Sequence, residues 1–265
     1  MYPYLLPDVF GYVIPLYDVM IVIGVFLMLV YIIKKFDTTD GFSKKQTNRL
    51  LILIMISLVF ALISSFLVDG IFHSIEEGEL TFGSISFLGG LIGGVASFLL
   101  LLKYFYKDEN KDVRKIMSTV ITGVVLAHAF GRIGCFFAGC CYGIPTDSFL
   151  GVVFPGGHAH LTYGDASIFP TQLFEAFFLF VLFGLMNKVE LFKNNKIETY
   201  MFGYGVWRIM LEFIRGDNRG VFLPLFETAY NVYPTPSQFM SLLMILIGVA
   251  LVVYRKYQNN KLINT

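Results

Sequence analysis

Four arginines stand apart from the other cations of this chain. Arg132 lies in Gly131-Arg132-Ile133-Gly134, Arg208 and Arg215 follow in a later apolar stretch, and Arg219 comes shortly after. Glu212 is four residues beyond Arg208 and Arg215 seven, so the three share one face of a helix. A charge placed at the centre of an apolar span costs about 2.5–3.5 kcal/mol on insertion scales. Arg208 and Glu212 could simply pair while the others snorkel to an interface. Three arginines on two spans exceed that need, and the guanidinium fork fits phosphate. The expectation is a pocket for a phospholipid headgroup. Glu175 and Asp18 are further acids in or near apolar stretches.

Cys135, Cys140 and Cys141 fall within seven positions, too local for a disulfide framework. With His128 they invite a metal, but Cys-x4-Cys-Cys is not the Cys-x2-Cys spacing familiar from zinc sites. Packing of small side chains is the expectation, with no metal and no cofactor. The alternative of a disulfide would use Cys135, because adjacent Cys140 and Cys141 bridge only with strain. His128 precedes Arg132 by four residues and shares its face. It is either a buried histidine bonded to a carbonyl or a general base. His158 and His160 carry little signal.

Apolar helices must hold these residues. Of 265 residues, 56% are hydrophobic and only 15% charged, with 28 Phe and 15 Tyr. Mean hydropathy is +0.69. A soluble domain carries roughly a quarter charged residues, and disordered chains are polar and poor in aromatics. Both classes are excluded, and the net charge of +1 gives no basis for nucleic-acid binding. The expected fold is an all-α polytopic membrane protein of one domain, residues 1–265. Seven stretches approach the ~20 residues a bilayer requires: 12–33, 50–72, 83–102, 116–137, 171–186, 199–214 and 237–254. Sixteen of the 20 Lys and Arg fall in alternate loops and the tail, which places the N-terminus outside and the C-terminus in the cytoplasm. The N-terminal residues lack the positive region and cleavage site of a signal peptide.

Glycine marks two of these spans. Phe87-Leu88-Gly89-Gly90-Leu91-Ile92-Gly93-Gly94 either packs helices closely or leaves room for a lipid. The run from Gly131 to Gly143 is expected to be a glycine-rich turn ending a broken helix, tolerated at membrane depth where it lines a cavity or is buried in protein.

These segments occur in order with Pro170-Thr171-Gln172-Leu173-Phe174-Glu175-Ala176, Tyr204-Gly205-Val206-Trp207-Arg208, Glu212-Phe213-Ile214-Arg215 and Pro236-Ser237-Gln238. Together the chain resembles the prolipoprotein diacylglyceryl transferases over nearly its whole length. The resemblance implies a bacterial cytoplasmic-membrane enzyme with phosphatidylglycerol and a prolipoprotein signal peptide as partners. It would move the diacylglyceryl group to the lipobox cysteine, forming a thioether and releasing glycerol phosphate. Arg132 matches the arginine of the family's glycine-rich signature, and Gly143 its closing glycine. Tyr204, Arg208, Glu212 and Arg215 match the sixth-span motif, and Tyr17 a tyrosine of the first span.

The departures are equally specific. Leu88 stands where the family has a histidine, and Cys135 and Ala138-Gly139-Cys140 stand in place of asparagine and asparagine-glycine-glutamate. Ile144 replaces an arginine. The expected lipid and phosphate contacts are Tyr17, Gly89, Gly90, Arg132, Gly143, Arg208 and Arg215. His128, Arg132, Tyr204, Arg208 and Glu212 are expected to carry the chemistry, with Glu212 orienting Arg208 and His128 or Tyr204 assisting proton transfer. A transferase with another acceptor, such as a glycan, and a non-enzymatic lipid-binding or transport protein remain the alternatives.

Overall fold

A computed structural model describes residues 4–9, 12–77, 87–107, 112–217 and 225–263. Arg219 lies outside these residues, as does the side chain of Leu88. The chain opens on an antiparallel hairpin, β1 (Tyr4–Val9) with β2 (Tyr12–Pro15). Helices α1 (Leu16–Thr38), α2 (Lys44–Glu77), α3 (Phe87–Phe105) and α4 (Val113–Ala138) follow. A connecting region holds β3 (Val152–Val153), the short α5 (Gly157–Tyr163) and β4 (Ser167–Ile168). Then come α6 (Thr171–Lys188), α7 (Glu190–Lys193), α8 (Lys196–Glu212), the pair β5 (Phe226–Glu227) and β6 (Val232–Tyr233), and α9 (Pro236–Ile263).

Each expected stretch is largely helical among the described residues, and the fold is that of an all-α polytopic membrane protein. Among the described residues, five helices are long and apolar enough to cross a membrane: Leu16–Thr38, Lys44–Val68, Val113–Ala138, Thr171–Lys188 and Pro236–Tyr257. The third stretch yields a shorter apolar helix, Gly89–Phe105. The sixth, α8, has 17 residues and carries Lys196, Glu198, Arg208 and Glu212 within them. Large apolar side chains such as Val22, Phe26, Ile52 and Val253 face outward, as a lipid solvent permits and water would not. The first helix is displaced along the chain from the expected stretch of 12–33. Residues 12–15 are strand, and α1 starts only after Pro15, whose ring and missing N–H suit an edge strand.

Two compact units divide the chain, residues 31–116 and the remainder. In the first, α2 and α3 pack closely. A Cβ at Gly89 would lie 2.6 Å from Val68 Cβ and 2.8 Å from Ser64 O, and Ser64 Oγ donates to Gly89 O at 2.8 Å. Gly90 sits against Ser65. The space left by these two expected lipid-contacting glycines is thus filled by the neighbouring helix. In the second unit Gly24 brings α1 against α4, where a Cβ would meet Ala127 O and Phe130 Cβ at 2.9 Å. Val125, Ala129, Leu179, Leu182, Met186, Tyr200 and Tyr204 form the apolar core between α4, α6 and α8.

One expectation is corrected here. Helix α4 is not broken at Gly131 or Gly134 but continues to Ala138. The chain turns afterwards, at Gly139 with φ +66° and Cys141 with φ 60°. An isolated glycine costs only about 1 kcal/mol in a helix, and Gly134 serves packing instead: a Cβ there would lie 3.1 Å from Tyr17 O.

Candidate functional site

Four helix ends meet in the second unit: the C-terminal ends of α4 and α8 and the N-terminal ends of α6 and α9. Arg132 and Arg208 towards the ends of α4 and α8 and Glu175 near the start of α6 suit their positions, since the last turns of a helix favour cations and the first turns anions. Glu212 at the end of α8 does not, and it is paired with Arg208. Glu175, in the second turn of α6, is fully buried and is the hub. Its Oε2 lies 3.0 Å from Arg132 Nε of α4 and 3.5 Å from Arg208 Nη1 of α8. Its Oε1 accepts from the Tyr204 hydroxyl at 2.8 Å and lies 3.8 Å from His128 Nε2.

The remaining contacts orient the arginines. Arg132 Nε donates to His128 Nε2 at 3.2 Å, so in this arrangement the neutral imidazole carries its proton on Nδ1. His128 also meets the Tyr204 ring edge-to-face at 5.3 Å between centroids. Arg208 Nη2 pairs with Glu212 Oε2 at 2.9 Å and donates to Ser237 Oγ at 3.3 Å. Thr235 Oγ1 holds the other oxygen of Glu212 at 3.0 Å. Both nitrogens of the Arg208 fork are therefore taken by protein. Arg132 differs: among the described residues its Nη atoms have no partner, and its side chain keeps 10% exposure. Arg132, Arg208, Glu175 and Glu212 balance in charge. An anion would be drawn by where free donors point rather than by net charge.

Arg215 has another setting. It is buried, with Nε and Nη2 forked onto Asp217 at 2.8 and 2.5 Å. Its backbone forms an antiparallel bridge with Gly143. Asn231 Nδ2 donates to its carbonyl at 2.9 Å. The fork that would serve phosphate is here occupied by a carboxylate, and the residue ties the segment after α8 to the loop after α4. Gly143 is the tight point of that seam. A Cβ on it would lie 2.7 Å from Phe169 Cβ and Phe169 O and 2.8 Å from Ile214 O. Two of those atoms are backbone and cannot swing aside. Gly143→Ala is expected to cost at least about 1–3 kcal/mol, the range of overpacking. A thermal melt in detergent checks this, and an unchanged midpoint would show that the seam opens freely.

The structure brings together five expected residues: His128, Arg132, Tyr204, Arg208 and Glu212. Tyr17 packs at Gly134 on the same helix as Arg132. Gly89 and Gly90 belong to the α2–α3 pair in the other unit. Sequence reasoning assigned no role to Glu175, although its place beside an apolar span in Gln172-Leu173-Phe174-Glu175 was a signal. Ser237 and Thr235 come from the start of α9 and could not be found without tertiary contacts, whereas Asp217 is a local partner two residues beyond Arg215. The three cysteine sulfurs lie within 4.8 Å of one another. His160 Nδ1 contacts Gly164 O at 3.1 Å within its own short helix and the turn that follows.

Comparison with known proteins shows which family the chain is similar to. Residues 6–254 match the family described as prolipoprotein diacylglyceryl transferase. The phosphatidylglycerol–prolipoprotein diacylglyceryl transferase of Clostridium tetani is 32% identical over 248 residues, covering 91% of this chain and 93% of the relative. A second enzyme of that name from Clostridium perfringens is 29% identical over 97% of this chain and 96% of its own length. The Francisella tularensis enzyme is 32% identical over 68% of this chain and 63% of its own.

Proposed function

The chain belongs to the prolipoprotein diacylglyceryl transferase family, and on that footing we propose that it moves the diacylglyceryl group of phosphatidylglycerol to the lipobox cysteine of a prolipoprotein, releasing glycerol phosphate. The observation that carries this reading is the sharing of buried Glu175 by Arg132 and Arg208 while the Nη edge of Arg132 stays open. That edge offers two parallel donors to a phosphate. Glu175 and His128 hold the opposite edge and so fix its direction.

Sulfur attacks the glycerol carbon of the lipid, the carbon–oxygen bond breaks, and its electron pair leaves on the phosphate oxygen. Negative charge therefore grows on the departing glycerol phosphate. A fixed donor aimed at growing charge stabilises the transition state more than the ground state. Arg132 is the phosphate ligand in this account, with Arg208 held by Glu212 behind it as a second positive charge. His128 and Tyr204 are the groups nearest the hub able to pass a proton. The four helix ends that build the site are the external ends in the topology with N-terminus outside. That supports a site reached from the outer leaflet of the bacterial cytoplasmic membrane, in one integral membrane domain.

Purified protein in phosphatidylglycerol vesicles with a lipobox peptide tests the reading. Mass spectrometry is expected to find the peptide heavier by one diacylglyceryl group with equimolar glycerol phosphate. Glycerol phosphate release without peptide modification would move the reading to another acceptor, and no turnover would leave a lipid-binding protein.

A further inference from the structure

Helix α4 carries Arg132 and, three residues on, Cys135 on the same face. After the turn at Gly139 the chain returns with Cys140 and Cys141, and the three Sγ atoms come within 4.8 Å of one another. Tetrahedral zinc with Zn–S bonds of about 2.3 Å holds its sulfurs about 3.8 Å apart, a separation that lies within that bound. Cys141 adopts φ 60°, a left-handed conformation that a non-glycine residue rarely takes. Unusual backbone of this kind persists only where the surroundings enforce it. Here Thr171 Oγ1 donates to Cys141 O at 2.8 Å, and Gln172 Nε2 to Cys140 O at 2.6 Å. Both donors belong to the first turn of α6, immediately before Glu175. The same two helices therefore position the sulfurs and the Arg132–Glu175 pair. The cysteines are only partly buried, so an ion can reach them.

We propose that Cys135, Cys140 and Cys141 bind Zn2+ and leave its fourth position for the acceptor thiol of the transfer reaction. Three protein ligands with an open position is the arrangement of catalytic zinc, and thiolates select soft ions. The cysteine thiols give up protons on binding the metal. The acceptor thiol gives its proton to water as it coordinates; its sulfur then attacks the glycerol carbon of the lipid, and the electron pair of the broken carbon–oxygen bond leaves on the phosphate oxygen. The thioether that forms is neutral and a poorer ligand, so it departs while zinc keeps its charge. Nothing is oxidised or reduced. The sequence expectation of no metal rested on linear spacing, which the turn at Gly139 and Cys141 makes a poor guide.

This inference rests on the transferase reading for its acceptor, and the test separates the two. Detergent-purified protein, stripped with a chelator under reducing conditions, is titrated with Zn2+ and in parallel with Co2+. One equivalent of Zn2+ is expected. Cys135→Ser, Cys140→Ser and Cys141→Ser should each weaken binding at least tenfold while keeping the wild-type melting midpoint of the metal-free protein. In the Co2+ form, the lipobox peptide should intensify the thiolate-to-cobalt absorption, and a peptide with serine for cysteine should not. Absence of stoichiometric binding, binding unchanged in the triple serine variant, or a spectrum indifferent to peptide thiol overturns the site. Full peptide modification by a metal-free triple variant overturns it too and leaves the transferase reading intact.

Discussion

Glu175→Gln is expected to lower glycerol phosphate release at least about a hundredfold, and to do so chiefly in kcat. Glu175 is the single carboxylate shared by Arg132, Arg208 and Tyr204, with no solvent exposure. Removing one partner from a buried ion pair costs about 3–5 kcal/mol, because the other charge is left uncompensated. The amide keeps the shape and one acceptor oxygen, so the helices can still assemble. What it loses is the charge that holds two guanidiniums at one point, and a donor displaced by 1 Å can cost about a hundredfold. The measurement is a kcat and KM determination with the vesicle and peptide assay, alongside a melt in detergent. A wild-type kcat in a normally melting Glu175→Gln protein would remove the hub from the chemistry.

A second large effect is expected at Arg132, and it should exceed that at Arg208. Arg132→Ala takes away the Nη edge that has no partner among the described residues. Loss of one fixed donor to developing charge costs about 10²–10³ in kcat. Arg132→Lys should recover little, since an ammonium is a point charge without the fork. Arg208→Lys should retain more activity, because Arg208 spends both Nη atoms on Glu175, Glu212 and Ser237. Its contribution is the positive charge, which lysine keeps. Parallel assays of Arg132→Ala, Arg132→Lys and Arg208→Lys decide this. Equal losses for the two lysine variants would mean that both arginines clamp the phosphate alike.

Much of the architecture was legible in the sequence because the bilayer imposes a simple rule. Backbone polar groups in lipid must be satisfied within a segment, so long apolar runs become helices. The runs at 50–72, 171–186 and 237–254 lie within α2, α6 and α9 for that reason. The buried arginines were visible by the same logic, as charges where charges are costly. The glycine stretches misled in part. Gly131 and Gly134 stay helical, and Gly89 is spent on helix contact, because glycine marks close approach as often as a bend.

The amino-acid order by itself determined that this is an apolar helical protein, which residues carry cost enough to require a use, and that Arg208 and Glu212 pair across one turn. Only the tertiary structure decided that Glu175 is the carboxylate both arginines share. Only it decided that Thr235 and Ser237 at the start of α9 hold Glu212 and Arg208, and that three cysteines with an unpromising spacing become neighbours. The physical reason is range. Hydropathy and helical periodicity act within a few turns of one segment, whereas a buried charge takes its partner from whichever helix end the packing brings within hydrogen-bond reach.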